Sequence, residues 1–302
     1  MSEHPPSWDL YGALLAVLRE GSLSGAARAL GVAQPTVRRQ IEQLEAELGV
    51  VLFTRASNGL VPTETALAAL PYAESIASTA HALARAVAGG ADGQRGTVRV
   101  TCSEVMGAEV LPPLLLTLRR ARPALQIELA ATNRTEDLLR RDADVAVRMV
   151  EPTQAGLVRR RVGRVELGLF AHADYLAEHP PPRSLDALAE GHSLVGADRG
   201  RGILDALAAM GANLGARHFG LRCDSDLVQL AAVRAGLGIG VCQVPLAARH
   251  GQLRRVLPKV APQLEVWVAM HEDLRANPRV RAVYEHLAEG LEAYAAPARR
   301  AR

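Results

Sequence analysis

Apolar residues recur at helical spacing on both sides of a short turn at Gly31-Val32-Ala33. The residues of the two predicted faces are Leu23, Ala26, Ala27 and Leu30 before the turn, and Val37, Ile41, Leu44 and Leu48 after it. Gly31 supplies the positive φ that a tight turn between helices needs, and Pro35 is tolerated in a first helical turn. Two amphipathic helices across such a turn predict a helix-turn-helix.

The outer face of the second predicted helix carries side chains that suit DNA. Arg38 and Arg39 can read guanine, Gln34 and Gln40 can read adenine, and Thr36 suits phosphate or base. The full set of expected DNA contacts is Ser22, Ser24, Gln34, Pro35, Thr36, Arg38, Arg39, Gln40 and Arg55. The alternative is a plain helical hairpin with a solvated polar face.

Short elements flank this motif. Asp9–Arg19 is predicted as a preceding helix. After the motif, Val50–Phe53 is a β-prone run, Ser57–Gly59 a turn and Leu60–Val61 a return strand. These residues predict a two-stranded wing with Arg55 at its edge.

A long helix is predicted from Thr63 to Val87, bent by Pro71. Its apolar positions form a heptad seam: Ala66, Leu70, Ala73, Ala77, Ala80, Ala84 and Val87. A regular seam in a helix with no other core favours dimerisation, and the alternative is a solvated connector. Gly89–Gly93 then ends the helix and begins a hinge.

From Arg95 onward, strands alternate with helices, which indicates parallel βαβ units. The predicted strands are Thr97–Cys102, Leu125–Ala130, Asp144–Arg148, Val158–Val162, Leu167–Ala171, Leu194–Val195, Phe219–Cys223, Gly238–Cys242 and Leu264–Met270. The predicted helices are Val110–Arg122, Thr135–Arg141, Leu204–Met210, Asp226–Ala235 and Pro278–Tyr294. Two α/β halves linked by two crossing strands would enclose a cleft.

The predicted domains are a DNA-binding domain (1–62), a linker helix with hinge (63–92) and an effector-binding domain (93–302). Within the last, subdomain I covers about 95–163 plus 268–302 and subdomain II about 164–267. Ligands bind at the carboxyl ends of parallel strands. The residues expected there are Thr101, Ser103, Glu104, Thr132, Asn133, Arg148, Asp198, Arg199, Asp224 and Gln243. The hydroxyl residues could equally be helix caps, and Arg148 could clamp a carboxylate or pair with Glu104.

The composition and charge of the chain limit the classes of function that it can have. The 302 residues carry a formal charge of only +3, and Lys259 is the single lysine. Residues 1–62 are not a general basic patch, so DNA binding should depend on positioned contacts. The three cysteines make no disulfide framework and are interpreted as small buried hydrophobes rather than redox sensors. The histidines lack metal-ligand spacing, no catalytic constellation is found, and no signal or membrane segment is read, so a cytoplasmic non-enzyme is expected.

The motif GSLSGAARALGVAQPTVRRQIEQLEAELGVVLFTR, then PTETA and a long helix, resembles the LysR-type transcriptional regulators. The resemblance covers essentially the whole chain. It implies an α/β protein in which a winged helix-turn-helix and a linker helix that pairs two subunits precede a two-subdomain, periplasmic-binding-protein-like (type 2) effector domain. Ala33 departs from the family's usual capping serine and Arg38 from its usual small residue.

The resemblance also implies partners: promoter DNA, a second copy in a homodimer or homotetramer that bends DNA, and RNA polymerase. It implies no cofactor beyond a small-molecule co-inducer, for which a carboxylate is expected. Two other classes compete. A solute-binding module would share the cleft but gives residues 1–90 no use, and an enzyme would need an acid–base pair in the cleft.

Overall fold

The computed structural model describes residues 5–56, 59–88, 95–133, 143–154, 156–200 and 202–296. These residues form two compact units, one before residue 89 and one from residue 95 onward. The predicted hinge at 89–93 and the predicted helix at 135–141 lie outside the described residues. In the part of the chain that is described, no helix is long and apolar enough to cross a lipid bilayer.

The first unit is helical with a small two-stranded sheet. Its elements are α1 (Trp8–Glu20), α2 (Leu23–Leu30), α3 (Gln34–Leu48), β1 (Phe53–Ala56), β2 (Gly59–Pro62) and α4 (Glu64–Ala88). The predicted helix-turn-helix is confirmed: Gly31 ends α2 at φ 67°, and the N–H of Val32 donates to the Ala27 carbonyl. Leu14, Val37 and Leu44 are fully buried in a core shared by the helices.

A close approach that the sequence pattern did not reveal occurs at Gly25. A Cβ there would lie 2.9 Å from both the Glu20 Cβ and the Ser22 Oγ. Ser22 also caps α2, since its Oγ accepts from the Gly25 N–H at 3.0 Å. Glycine at this position therefore lets the chain turn tightly from α1 into α2.

The wing is confirmed with a corrected boundary. Its first strand begins at Phe53, not at Val50, and pairs antiparallel with β2 from Phe53–Pro62 to Ala56–Gly59. Val50–Leu52 leads into the strand instead. Leu52 is fully buried there, and its N–H donates to Glu45 rather than to a partner strand.

Helix α4 begins after Thr63, whose Oγ1 accepts from the Ala66 N–H at 3.2 Å. The prediction that the helix has no other core to pack against is wrong for the first half of the seam. Ala66 and Ala73 are buried in the core of the chain's own first unit, and Ala77 packs against it. Only later does the seam reach the surface, where Ala84 is exposed.

The second unit is an α/β structure built mainly on one seven-stranded sheet. Its strands are β3 (Gly96–Cys102), β4 (Leu125–Ala131), β5 (Val145–Arg148), β6 (Leu157–His172), β7 (Leu194–Gly196), β8 (Phe219–Arg222), β9 (Gly240–Gln243), β10 (Leu253–Val256) and β11 (Gln263–His271). Its α-helices are α5 (Leu111–Ala121), α6 (Ala173–Glu178), α7 (Leu185–Gly191), α8 (Gly202–Ala209), α9 (Asp226–Arg234), α10 (Val244–Ala247) and α11 (Pro278–Ala295). A π-helical turn, Met106–Val110, precedes α5.

The sheet order is β10-β6-β11-β5-β3-β4, with β9 also paired to β6. Strand β3 is parallel to β4 and β5, as the βαβ pattern predicted, and β7 is parallel to β8 in a separate sheet. The strands predicted at Val158–Val162 and Leu167–Ala171 are one continuous strand, β6, and the sequence pattern missed α6, α7, α10 and β10. Strands β6 and β11 pair antiparallel and run through both halves, which confirms the two crossing strands.

Each half has its own core. Subdomain I packs β3, β5 and β11 against α5 and α11, with Leu111, Leu287 and Leu291 fully buried. Subdomain II has two smaller clusters, one around Leu188 and Ile239 and another around Val233 and Leu246. The two halves also touch each other, since Val105 of subdomain I packs against the cluster around Val233 and Leu246.

Candidate DNA-binding surface and effector cleft

The start of α3 presents the expected DNA contacts to solvent. Arg38, Arg39 and Pro35 are exposed, and Gln34, Thr36 and Gln40 are half-buried. Ser22 and Ser24, at the start of α2, are also exposed. The backbone of Arg55 lies in β1, but its side chain is outside the described part of the chain.

The N-terminus of α3 has no side-chain cap, because Ala33 stands at the N-cap and accepts only through its carbonyl. The first-turn N–H groups of a helix carry partial positive charge and suit an anionic acceptor. Arg38 and Arg39 lie one turn further along the same helix. Pro35 has no N–H, and the N–H groups of Thr36 and Val37 both donate to the Ala33 carbonyl, so among the described first-turn groups the N–H of Gln34 is the one left for an anionic acceptor. This end of α3 therefore presents one backbone donor and two arginine side chains.

Glu45 ties α3 to the wing. Its Oε1 accepts from the N–H of Leu52 at 2.7 Å and of Phe53 at 3.1 Å. The groove between the helix and the wing is lined by Leu23, Arg38, Ile41, Glu42, Glu45, Phe53 and Leu60. Arg38 thus borders both the outer face of α3 and this groove, and Glu45 fixes the distance between the helix and β1.

In the second unit, Arg148 and Thr101 meet at the carboxyl ends of β5 and β3. The Arg148 Nη2 donates to the Thr101 Oγ1 at 2.9 Å and its Nη1 to the Val147 carbonyl at 3.1 Å. Arg148 is only 5% exposed and Thr101 only 2%. In these contacts Arg148 bonds to Thr101 and Val147, and not to Glu104, which was the alternative partner. A buried guanidinium at strand ends can supply a charged donor to a bound carboxylate.

Contacts across the cleft involve residues that follow β3 and β4. Ser225 donates through Oγ to the Glu104 Oε2 at 3.1 Å, and Asn133 donates through Nδ2 to the Asp226 Oδ2 at 3.1 Å. Asn133 also accepts from the Glu104 N–H at 3.0 Å. Desolvation and the nearby Glu104 carboxylate raise the pKa of Asp226. Glu104 and Asn133 therefore face subdomain II and lie within hydrogen-bond reach of the start of α9.

Three further predicted residues form a group of their own in subdomain II. Asp224 accepts from the N–H groups of Asp198 and Arg199 at 3.0 and 2.8 Å, and from the Arg199 Nε at 2.7 Å. These donors hold the pKa of Asp224 at about 2. The group orders the loop after β7. Ser103 and Thr132 are half-buried at the ends of β3 and β4.

Gln243, predicted as a ligand contact, is used within the protein. It is 7% exposed, its Oε1 accepts from the Tyr294 hydroxyl at 2.6 Å, and its Nε2 lies 3.9 Å from the Met106 Sδ. Tyr294 and Met106 belong to subdomain I and Gln243 to subdomain II. The contact therefore joins the two halves beside the crossing strands.

An ion pair that the sequence did not predict also joins the two subdomains. Glu109, on the π-helical turn, accepts from both terminal nitrogens of Arg234 at 2.8 and 2.9 Å. Its backbone carbonyl accepts from the Arg249 Nη1 at 3.0 Å. The hydrogen bond to Arg234 is the main reason that the pKa of Glu109 is lowered. No spacing signal connects residues so far apart along the chain.

Two of the three cysteines fit the interpretation as small buried residues, whereas Cys223 is half-buried. Cys102 and Cys242 are buried, and burial raises the pKa of each thiol to about 11. A high thiol pKa means little thiolate, which is the reactive form. Across the residues that the structure describes, no group of three or more His, Cys, Asp or Glu side chains is placed to hold a metal ion.

Both units match models of known protein families. A profile described as "LysR substrate binding domain" matches residues 91–292. Another, described as "Bacterial regulatory helix-turn-helix protein, lysR family", matches residues 8–67. The chain is 26% identical over 290 residues to the HTH-type transcriptional activator TtdR of Escherichia coli O6:K15:H31 (strain 536 / UPEC), covering 93% of this chain and 94% of that protein.

Solved structures share the fold. CrgA of Neisseria meningitidis, a LysR-type transcriptional regulator, has a TM-score of 0.58 and 24% identity, covering 95% of this chain and 99% of CrgA. Full-length CbnR complexed with its target DNA has a TM-score of 0.67 and 21% identity, covering 94% of this chain and 100% of CbnR.

Proposed function

Because this chain belongs to the LysR-type transcriptional regulators, DNA-binding proteins with an effector-binding domain, we propose that it reads its operator through the start of α3. The observation that carries this proposal is the exposure of Arg38 and Arg39 beside an uncapped helix N-terminus. Arginine reads guanine in the major groove, and the N–H of Gln34 at the start of the helix suits a phosphate. Gln34, Thr36 and Gln40 complete the reading surface.

The effector site is the cleft between the two subdomains, and the ligand class is a small carboxylic acid. Arg148 and Thr101 supply the buried charged and hydroxyl groups, and Ser103, Glu104, Thr132 and Asn133 line the entrance. This ligand acts as a co-inducer, with no other cofactor and no catalysis. Its binding changes how the subdomains are arranged and, through them, the DNA complex.

The active form is an oligomer. LysR-type regulators oligomerise, and here the exposed later part of α4, which includes Ala80 and Ala84, suits pairing with a second copy. A homodimer presents two copies of α3 to successive major grooves, and pairing of dimers gives a homotetramer that bends DNA and contacts RNA polymerase. Such a protein works in the cytoplasm, where the promoter is.

A footprint on the intergenic DNA beside its own gene tests this function. We expect two adjacent protected sites, whose extent changes when a pool of small carboxylic acids is added. Replacing Arg39 with Ala should weaken operator binding by about 1–3 kcal/mol if Arg39 reads a base. Arg19→Ala is the control, because Arg19 lies on α1 and its partner is Glu74 at 4.0 Å.

An Arg39 variant that protects the operator at the same protein concentration as the unchanged protein would remove Arg39 from base reading. Absence of any protection at low salt would overturn the DNA-binding assignment itself. Protection that is unaffected by every acid in the pool would leave DNA binding in place and reject the ligand class.

A further inference from the structure

The two subdomains are joined on one side by a set of polar contacts centred on Glu109. Glu109 belongs to the π-helical turn of subdomain I, whereas Arg234 ends α9 and Arg249 follows α10 in subdomain II. Arg234 makes a two-pronged contact with the Glu109 carboxylate, and Arg249 reaches the Glu109 carbonyl. One residue of subdomain I therefore receives charged donors from two separate elements of subdomain II.

Neighbouring side chains continue this contact. The Arg249 guanidinium lies 5.2 Å from the centre of the Tyr294 ring, and the Tyr294 hydroxyl donates to Gln243. The Arg234 Nη2 lies 2.5 Å from the His250 Nε2. We call Glu109, Arg234 and Arg249 the clasp. Tyr294 and His250 support it from α11 and from the end of α10.

The local geometry distinguishes the clasp from an ordinary surface ion pair. Both nitrogens of one guanidinium meet both oxygens of one carboxylate, an arrangement stronger and more directional than a single contact. The side chains of Arg234 and Glu109 are 29% and 23% exposed, so solvent screens them only in part. A π-helical turn is a rare element that often occurs at functional sites, and here it carries the clasp carboxylate.

The clasp is also placed to control movement. Strands β6 and β11 connect the two subdomains, and each subdomain keeps its own apolar core. Besides the polar contacts, Val105 of subdomain I packs against the apolar cluster around Val233 and Leu246 in subdomain II, so opening the cleft uncovers Val105 but unpacks neither core. Breaking a half-buried ion pair costs little free energy, because water replaces the lost partner. Opening a packed apolar core costs much more.

We propose that the clasp holds the effector cleft closed in the free protein, so that the effector must bind against, or release, the contact of Glu109 with Arg234 and Arg249. The contacts of Glu104 with Ser225 and of Asn133 with Asp226 join the start of the same helix, α9, to subdomain I, whereas Arg234 joins its end. This inference rests on the proposed function of the cleft as the effector site. It makes Glu109 a positioning residue: it sets how open the cleft is and need not touch the effector.

Amide hydrogen exchange on the full-length protein tests the clasp without any effector. Glu109→Gln keeps the shape of the side chain and removes its charge. We expect exchange at residues 103–107 and 223–229 to accelerate by about 5-fold to 150-fold, the range of typical coupling between sites. Exchange at the buried residues of β11 should stay unchanged, because neither subdomain unfolds.

The matched control is Glu285→Gln. Glu285 accepts from the Arg160 Nη1 at 3.3 Å, and this pair lies within subdomain I. Its loss should leave exchange at the cleft as it is in the unchanged protein. Arg234→Lys serves as a milder second variant, since it keeps the charge but loses the two-pronged contact, and it should give a smaller acceleration. If Glu109→Gln does not fold, this variant carries the test.

Equal exchange at the cleft in the folded Glu109→Gln variant and the unchanged protein would overturn the clasp. So would equal acceleration in Glu285→Gln. A footprint with the carboxylic acid pool separates this inference from the proposed function. Faster cleft exchange in Glu109→Gln together with a footprint that ignores the acids supports the clasp while rejecting the cleft as the effector site for those ligands.

Discussion

Replacing Glu45 with Ala removes the acceptor that holds the recognition helix to the wing. The Glu45 Oε1 receives the N–H groups of Leu52 and Phe53 at 2.7 and 3.1 Å. Leu52 is fully buried and Phe53 is 9% exposed, so their backbone donors cannot easily turn to water. The perturbation is therefore two unsatisfied backbone N–H groups at the base of β1.

The size of the effect follows from these contacts. A hydrogen bond to a charged group contributes about 1.5–3 kcal/mol, and an unsatisfied buried donor costs a similar amount. Because Glu45 is half-buried and the Ala variant can admit water, we expect a total loss of about 2 kcal/mol in the first unit. That corresponds to a roughly 30-fold shift in the opening equilibrium. Glu45→Gln keeps one neutral acceptor and should lose less than half as much.

The assay is amide hydrogen exchange in the full-length protein, read at Leu52, at Phe53 and along α3. A single unfolding midpoint would be unsuitable, since a chain with two compact units need not unfold in one step. The control is Glu47→Ala on the same helix. Glu47 accepts from the Gln43 Nε2 in an exposed contact at 2.8 Å, so its loss should cost no more than about 0.5 kcal/mol.

Two results would refute this reasoning. The first is exchange at Leu52 and Phe53 that is unchanged within about threefold in Glu45→Ala, well below the 30-fold shift that the energy implies. The second is an equal effect of Glu47→Ala, which would mean that the charge of α3, rather than the link to the wing, matters. In either case the distance between α3 and β1 would have to be fixed by apolar packing alone.

Other predictions concern the linker helix and the clasp. Ala84→Glu, at an exposed position of the seam, should weaken dimerisation without affecting the first unit, and sedimentation showing an undiminished dimer would contradict a role of the seam in pairing. Burial and the charge of Arg234 lower the pKa of His250, which also faces Arg249 and Glu109. Below about pH 6.5 the unfolded chain therefore binds a proton before the folded one, so stability should fall from that pH down to the lowered pKa. Amide hydrogen exchange at buried residues of the second unit, compared at several pH values after correction for the intrinsic exchange rate, checks this, and His250→Gln should remove that part of the pH dependence.

Patterns of local spacing gave the elements correctly where one periodicity dominated. The faces of α2 and α3 and the turn at Gly31 are readable because helix geometry and glycine's positive φ act over a few residues. The boundary of β1 was wrong because Val50 and Leu52 are β-prone residues whose N–H groups donate to Glu45 instead of a partner strand, that of Val50 to its carbonyl and that of Leu52 to its carboxylate. A side chain competing for backbone donors is invisible to a count of apolar positions.

The linker helix shows a different limit. Periodicity identified its apolar face but not what covers it, and Ala66 and Ala73 turned out to pack in the core of their own unit. The clasp shows a third limit of prediction from sequence. Glu109 and Arg234 are separated by 125 positions, and their meeting depends on the packing of the whole second unit. Arg148 and Thr101, by contrast, were each predictable at a strand end, whereas the contact between them needed the register between β3 and β5.

The pairing of β6 with β11 limits the movements that the second unit can make. The ladder runs from Glu166–Gln263 to Leu157–His271 and shifts register between Val266 and Trp267, next to Gly163 at φ 154°. Sliding one strand past the other would break every rung at once, whereas rotation about the strands breaks none, and a bulge is where a ladder twists most readily. We therefore expect binding in the proposed effector cleft to change the angle between the subdomains rather than the register of these strands. The displacement produced by such a rotation grows with distance from Gly163, so the surfaces farthest from the bulge move the most.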